Sequence, residues 1–490
     1  MRAPPHLRPE STQTHDARLC ETEARKFVLV AAILASAMGF IDGSVVSVAM
    51  PAIRADLTAT LSQAQWVSNA YMLTLSALLL VGGALADRFG VSRVFSLSIA
   101  AFTLTSLACA VAPTVDTLIA ARALQGMAAA VMVPGSLAII AQAYPSAERG
   151  QAIGTWAAAS ALTTAIGPVL GGALLDLAGD GAWRLIFAVN LPLGAVAVWM
   201  LVRKTNRLPG TSNTRLDLPG GLLATLGLGL LAYGLTGAEH GETLDARLLI
   251  WGGGGMAVIA LFLLVEWKSP HPMMPLTLFQ SRAFSSANLV TFALYFALSA
   301  VLFYLPMTVI AGWGLGAFEA SLAFVPMTLL IALLSPRSGK WAEEKGAAPL
   351  IGGGAALVAL AFSGLGATAH LQSFWVLTVP LCALMGLGMA LAVAPLSSVV
   401  MASVPDSATG SASAINNAVS RVAGLVAVAA MGSLAASVYV ASGGQDSFGA
   451  LSDAPQHQTA LNLGFAAVAA TAAGLAGLSA VVAVFGLRSR

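Results

Sequence analysis

The chain has 490 residues, of which 57% are hydrophobic and 9% charged, against about 25% charged in an ordinary soluble domain. So much apolar side chain with so little charge excludes a water-soluble globular fold and leaves lipid as the solvent. A net charge of +2 is too small to suggest a nucleic-acid partner.

Residues 1–26 are polar and rich in Pro, Arg and Glu. They hold neither the short apolar stretch nor the cleavage site of a signal peptide, so they read as a cytoplasmic tail before a retained first span. Crossing the hydrocarbon core takes about 20 apolar residues in a helix. Fourteen stretches qualify, at about 27–50, 66–86, 94–113, 117–143, 150–177, 183–202, 218–237, 248–267, 283–310, 317–336, 349–369, 374–402, 408–437 and 459–487. They predict an all-α polytopic membrane protein. A weak internal repeat divides it. Gly83 to Arg93 after the second span and Ser338 to Gly346 after the tenth both run from a small residue through acid and base to Gly. The expected units are a six-helix bundle over 27–203, a linker over 204–282 with two extra helices, a second six-helix bundle over 283–487 and a short cytoplasmic end at 488–490. A site at the midplane between repeated bundles is a common transporter plan.

Loop charge sets the orientation. With the N-terminus cytoplasmic, 19 of the 24 Lys and Arg residues fall inside and only Arg54, Arg184 and Arg247 outside, while Arg122 and Arg421 lie within spans. Both basic tails then share one face, which needs an even helix count.

A few residues stand out against this background. Asp42 is the one acidic residue deep inside a predicted span, about 24 Å along the first helix. An ionised carboxylate in lipid must face protein or water. Burial favours its neutral form and a nearby cation its charged form, so Asp42 suits proton loading and release; a static helix-pairing bond is the plainer alternative. Arg122 enters the fourth helix from the other side at comparable depth, so an ion pair with Asp42 is possible, and Gln125 shares its helix face. A snorkelling arginine is the alternative there. Asp87, Arg88, Arg93 and Arg149 predict a cytoplasmic charge cluster able to hold one conformation and release it, although positive-inside topology accounts for part of it. Gly167-Pro168-Val-Leu-Gly171-Gly172 predicts a kinked, closely packed fifth helix able to seal one face, or only the ordinary abundance of Gly and Pro in membrane helices. Tyr295 and Phe296, with Phe303 and Tyr304, form an aromatic patch; Asn416 and Arg421 lie near mid-membrane in the thirteenth helix. Together with Gln125 these are candidate substrate contacts, with plain packing as the competing reading.

Cys20, Cys109 and Cys382 are isolated, and all six histidines fall in tails or predicted loops. No metal site, cofactor or imidazole relay is expected.

Five motifs carry a family resemblance. Gly83–Arg93 resembles the signature between helices 2 and 3 of the major facilitator superfamily. Ile41-Asp42 through Pro51, Leu118 through Arg122 to Gln125-Gly126, Gly167-Pro168 through Gly172, and Trp183-Arg184 with Phe187, Asn190, Pro192 and Gly194 are similar to motifs of helices 1, 4, 5 and 6 in its fourteen-helix drug:proton antiporters. The resemblance implies a major facilitator-type fold, Asp42 and Arg122 as proton-coupling residues, and Gly167, Pro168, Gly171 and Gly172 as an exporter's gate. The expected activity is proton-coupled antiport of small amphipathic or cationic compounds, drugs among them, by a monomer in the cytoplasmic membrane. Its partners would be the small-molecule substrate, protons and the lipid bilayer. The alternatives are proton-coupled uptake, lipid or metabolite transport on the same fold, and a membrane sensor. The spans hold no metal-ligand set, Ser–His pair or paired catalytic carboxylates for an enzyme, and no phosphate loop for a nucleotide-driven pump.

Overall fold

The structure, a computed structural model, describes residues 19–206, 217–236, 244–270, 272–405 and 408–487. Within them are fourteen helices long and apolar enough to cross a membrane: α1 (Thr22–Leu57), α2 (Leu61–Phe89), α3 (Val91–Ala110), α4 (Val115–Ala143), α5 (Ser146–Ala178), α6 (Trp183–Lys204), α7 (Leu218–Leu235), α8 (Leu248–Lys268), α9 (Arg282–Ala311), α10 (Ala317–Lys345), α11 (Ala347–Leu371), α12 (Phe374–Ala402), α13 (Thr409–Ala441) and α14 (His457–Gly486). The expected number of spans is borne out. The readings placed on Arg2, Arg8, Arg18, Arg207, Arg215, His240, His271, Arg488 and Arg490 lie outside the described residues.

Local chemistry sets the helix starts. Thr60 and Gln63 exchange side-chain and backbone hydrogen bonds in a capping box at α2, and Thr114 and Thr117 do so at α4. Such boxes satisfy amides that the first turn leaves without partners. The turn between α2 and α3 pivots on Gly90 at φ +89°, ψ 126°, and that between α10 and α11 on Gly346 at φ +86°, ψ 147°. Both positions need a residue without Cβ. The same conformation at the same point of each repeat gives the internal repetition a structural form.

Packing repeats too. α1 lies on α5 and α6, α2 on α4, and α3 on α4 and α6; correspondingly α9 lies on α13 and α14, α10 on α12, and α11 on α12 and α14. α7 and α8 form a separate pair, with α7 resting on α2 and α13. Their contact depends on small residues: a Cβ on Gly255 would stand 2.4 Å from the Leu231 nitrogen, and one on Gly234 2.3 Å from the Gly252 nitrogen.

Several ends differ from expectation because hydropathy sees only the apolar part of a helix. α1 continues through Pro51 to Leu57, so Arg54 belongs to its last turn and is buried, not in a loop. α10 continues through Arg337 and Lys340 to Lys345. His457 opens α14 instead of lying in a loop; it is buried, with its Nδ1 2.6 Å from the Tyr439 hydroxyl. The tail is not wholly polar surface, since Leu19 and Cys20 are buried and the Leu19 carbonyl accepts the Asn206 N–H at 2.7 Å.

Contacts between helix ends define two faces. Arg25–Glu148, Ser92–Thr205 and Leu19–Asn206 meet on one, the basic face. Asp56–Arg184, Gln63–Asp116 and Glu319–Trp375 meet on the other, the far face.

Candidate functional site

Asp42 is 1% exposed and Arg122 2% exposed. Arg122 Nη1 lies 2.5 Å from Asp42 Oδ2 and 2.6 Å from Gln125 Oε1, and its Nε donates to the Val67 carbonyl of α2 at 3.1 Å. The guanidinium also stands 4.2 Å over the Tyr71 ring, a favourable arrangement for a cation. Gln125 Nε2 donates to Asp42 Oδ1 at 3.1 Å and to Ser106 Oγ at 2.7 Å, and Asn190 Nδ2 donates to the same Ser106 Oγ at 3.1 Å. The Cys109 thiol sits 3.6 Å from Gln125 Oε1. Five helices, α1 to α4 and α6, therefore meet at one charge pair. Close approach of α4 to α2 makes this possible. A Cβ on Gly126 would stand 2.3 Å from the Tyr71 carbonyl oxygen, and the Thr74 hydroxyl donates across the gap to the Ala123 carbonyl at 2.8 Å. Arg122 is thus no snorkelling residue.

A cavity of about 240 Å³ lies between the bundles, lined by Gly43, Ser44 and Ser47 of α1, Tyr71 and Met72 of α2, Arg122, Pro168, Phe303 of α9, Phe324 and Met327 of α10, and Arg421 of α13, among others. Its wall is largely apolar with two arginines. Asp42 is not on it, whereas its partner Arg122 is. Arg421 makes no ion pair among the described residues.

Other expected cavity residues lie elsewhere. Gln125 is fully buried in the charge network, where its two polar atoms are already used. Asn416 donates to Asn288 Oδ1 at 3.2 Å and Thr291 Oγ1 at 2.8 Å, tying α13 to α9 instead of meeting Arg421. Tyr295 and Phe296 are not among the lining residues, and Phe296 packs at 6.2 Å from the Phe292 ring. The helical repeat explains this: of the aromatic patch only Phe303 points to the cavity. Tyr304 instead donates to the Val428 carbonyl at 2.7 Å.

The bundles touch towards the far face. Arg54 Nη1 donates to the Phe448 carbonyl at 2.6 Å and Nη2 to Ser447 Oγ at 3.0 Å. Gln65 Nε2 donates to the Tyr304 hydroxyl at 2.9 Å. Asp176, near the end of α5, accepts the Ala317 and Phe318 amides that open α10, at 2.9 and 3.0 Å. Gly172 allows that approach, for a Cβ there would lie 2.5 Å from the Ala317 carbonyl oxygen; Gly167 and Gly171 face Ser44 and Val45 of α1 instead.

On the basic face the four charged residues stand unpaired with one another in this conformation. Asp87, Arg88 and Arg93 are exposed, and Arg149 Nη2 reaches only the Tyr144 carbonyl, at 3.5 Å. Among the described residues no ion pair joins these four. The residues gather at one face unpaired with one another, Asp87, Arg88 and Arg93 exposed and Arg149 half-buried. Asp42 is also not the one buried acid, because Glu266 in α8 is 2% exposed.

The sequence profile of the Major Facilitator Superfamily matches residues 32–428. The chain belongs to that superfamily. Among similar members, the methylenomycin A resistance protein of Bacillus subtilis (strain 168) is 36% identical over 307 residues, 62% of this chain and 65% of the relative. The chain thus spans a little under two thirds of that protein's length. The multidrug resistance protein Stp of Mycobacterium tuberculosis (strain CDC 1551 / Oshkosh) is 32% identical over 412 residues, 83% of this chain and 75% of Stp. In fold, the chain is similar to a bacterial homologue of the human lysosomal transporter Spinster, with TM-score 0.69, 16% identity, and 96% and 99% of the two chains covered. In this superfamily member, charge made part of the site visible in the sequence. Ser106, Cys109 and Tyr71 passed unnoticed because uncharged polar and aromatic residues are common in membrane helices. A helix-face projection of Gln125 towards α3 would have been the one available signal.

Proposed function

We propose that the protein is a proton-coupled antiporter exporting small amphipathic compounds across the cytoplasmic membrane. Both termini would be cytoplasmic, the far face external and the working unit a monomer. The names of the relatives, resistance proteins for an antibiotic and for multiple drugs, support export over uptake. The observation that carries the coupling is the Asp42–Arg122 pair, held dry with only the arginine on the cavity wall.

With the pair formed, Asp42 is neutralised and has no need of a proton. Substrate or water drawing the guanidinium towards the cavity leaves a buried carboxylate unpaired. That costs about 3–5 kcal/mol, while one pKa unit corresponds to about 1.4 kcal/mol. Proton capture is therefore the favoured response, and return of Arg122 expels the proton. Tyr71 keeps a cation–π seat for Arg122, and Gln125 holds the second Asp42 oxygen, so the group that moves is the guanidinium. The Gly167, Pro168, Gly171 and Gly172 stretch would act as the far-face seal. Asp87, Arg88, Arg93 and Arg149 would approach one another when the basic face closes; Asp87→Asn should then slow cycling without lowering expression, as initial transport rates would read.

The deciding experiment is pH-gradient-driven transport in proteoliposomes, with a panel of toxic compounds screened first in a pump-deficient host. Asp42→Asn should fold, bind substrate and show no uphill transport. Undiminished uphill transport by this variant would reject the assignment.

A further inference from the structure

Glu266 lies near the basic-face end of α8, and its Oε2 accepts the Met274 N–H at 2.8 Å. Asp217 caps the start of α7, where its Oδ1 accepts the Gly220 N–H at 2.8 Å. The remaining oxygens, Glu266 Oε1 and Asp217 Oδ2, are buried and have no hydrogen-bond donor among the described residues. They flank one point: a Cβ on Gly220 would sit 2.6 Å from Glu266 Oε1 and 2.7 Å from Asp217 Oδ2.

Two carboxylates this close, out of water, cannot both remain charged. Something positive must lie between them. A hard divalent cation takes six or more oxygens. Here two are free, the others are occupied by N–H groups, and the adjoining cluster of Phe262, Met273 and Met274 is apolar. A proton needs one donor and one acceptor, which is what the site offers.

We propose that Glu266 and Asp217 bind a single proton between them, away from the central cavity, and that this proton clamps the start of α7 to the chain leaving α8. Asp217 is the acceptor, because its other oxygen already caps the α7 N-terminus. Glu266 carries the proton and donates it from Oε1 to Oδ2. Release of the proton to water at the basic face leaves two carboxylates in contact and loosens the clamp. α7, resting on α2 and α13, thereby reads the pH of that compartment. Among the described residues, neighbouring elements offer no competing charge; Arg207, Arg215 and His271 lie outside them. α2 brings Asp87 and Arg88, and α8 brings Lys268, all exposed; α13 brings Arg421, on the central cavity; Arg282, opening α9, donates to the Phe485 carbonyl. Among the described residues none of these pairs with either carboxyl.

The test is infrared spectroscopy of the full-length protein in nanodiscs from about pH 5 to about pH 9, in an Asp42→Asn background so that the other buried acid is silent. A protonated-carboxyl band should be present at neutral pH and disappear as pH rises. Glu266→Gln should abolish it, since an amide has no titrating proton. Thermal unfolding separates this from a packing effect. The parent should lose stability as pH rises through the titration, because its folded chain holds a proton that the unfolded chain releases. Glu266→Gln, donating its own N–H to Asp217, should remain level. Asp217→Asn keeps a competent helix cap and should also lose the band at neutral pH, as the amide donates to an ionised Glu266. A band surviving Glu266→Gln, no band in the parent, or a band and stability that respond to Na+, Mg2+ or Ca2+ instead of pH would each overturn the proposal.

Discussion

Arg122 stabilises the N-terminal bundle chiefly by what its absence would leave behind. Arg122→Ala strands a dry carboxylate, and the expected loss is about 3–5 kcal/mol, read as a lower melting temperature in detergent. Adding Asp42→Asn should recover most of that loss without restoring transport, because the uncompensated charge is gone and so is the proposed proton carrier. Equal destabilisation of the single and double variants would mean that Arg122 matters for packing over Tyr71 instead of for charge. At this scale the sequence was informative where chemistry was rare. A carboxylate and a guanidinium deep in apolar helices announce themselves, whereas Ser106 and Cys109 resemble ordinary small packing residues until α3 is seen against Gln125. The expected Asp87 cluster is the opposite case: a shared face gathers Asp87, Arg88, Arg93 and Arg149 without an ion pair among them in this conformation.

At the scale of helices, glycines set how closely one element approaches another. Gly172 governs the contact of α5 with α10 across the bundle boundary. Gly172→Val should force the Ala317 turn away and hold the far face open, so transport should fall by about tenfold or more. A cysteine introduced at Ser447 should label faster in that variant. Gly154, with nothing within 4 Å of a built Cβ, is the control: Gly154→Ala should change neither reading. Unaltered labelling in Gly172→Val would place the seal elsewhere. The existence of all fourteen helices was readable from hydropathy alone. Their ends were not, since α1 and α10 continue past the apolar segment on capping, buried Arg54 and solvated turns that hydropathy does not register.

For the whole molecule, the balance of charge in the central cavity limits its cargo. Arg122 is already offset by Asp42, Arg421 adds positive charge, and no carboxylate among the described residues lines the wall. A rigid dication should therefore be transported with kcat/KM at least about tenfold below that of a monocation of equal apolar area, in paired proteoliposome assays. The duplicated layout was legible in the two charged Gly-containing turns, while which bundle residues meet across the cavity depended on helix rotation, which no single sequence fixes. One cross-bundle contact makes the machine its own recorder. The first amides of a helix have no partners within it, and those of Ala317 and Phe318 borrow theirs from Asp176, in the other bundle. Each opening of the far face must strip both amides of their acceptor. Deuterium uptake at these two sites should consequently count opening events in an unlabelled transporter, accelerating in Asp176→Ala by about fivefold, the equivalent of a lost cap of about 1 kcal/mol, and slowing with any ligand that keeps the far face shut.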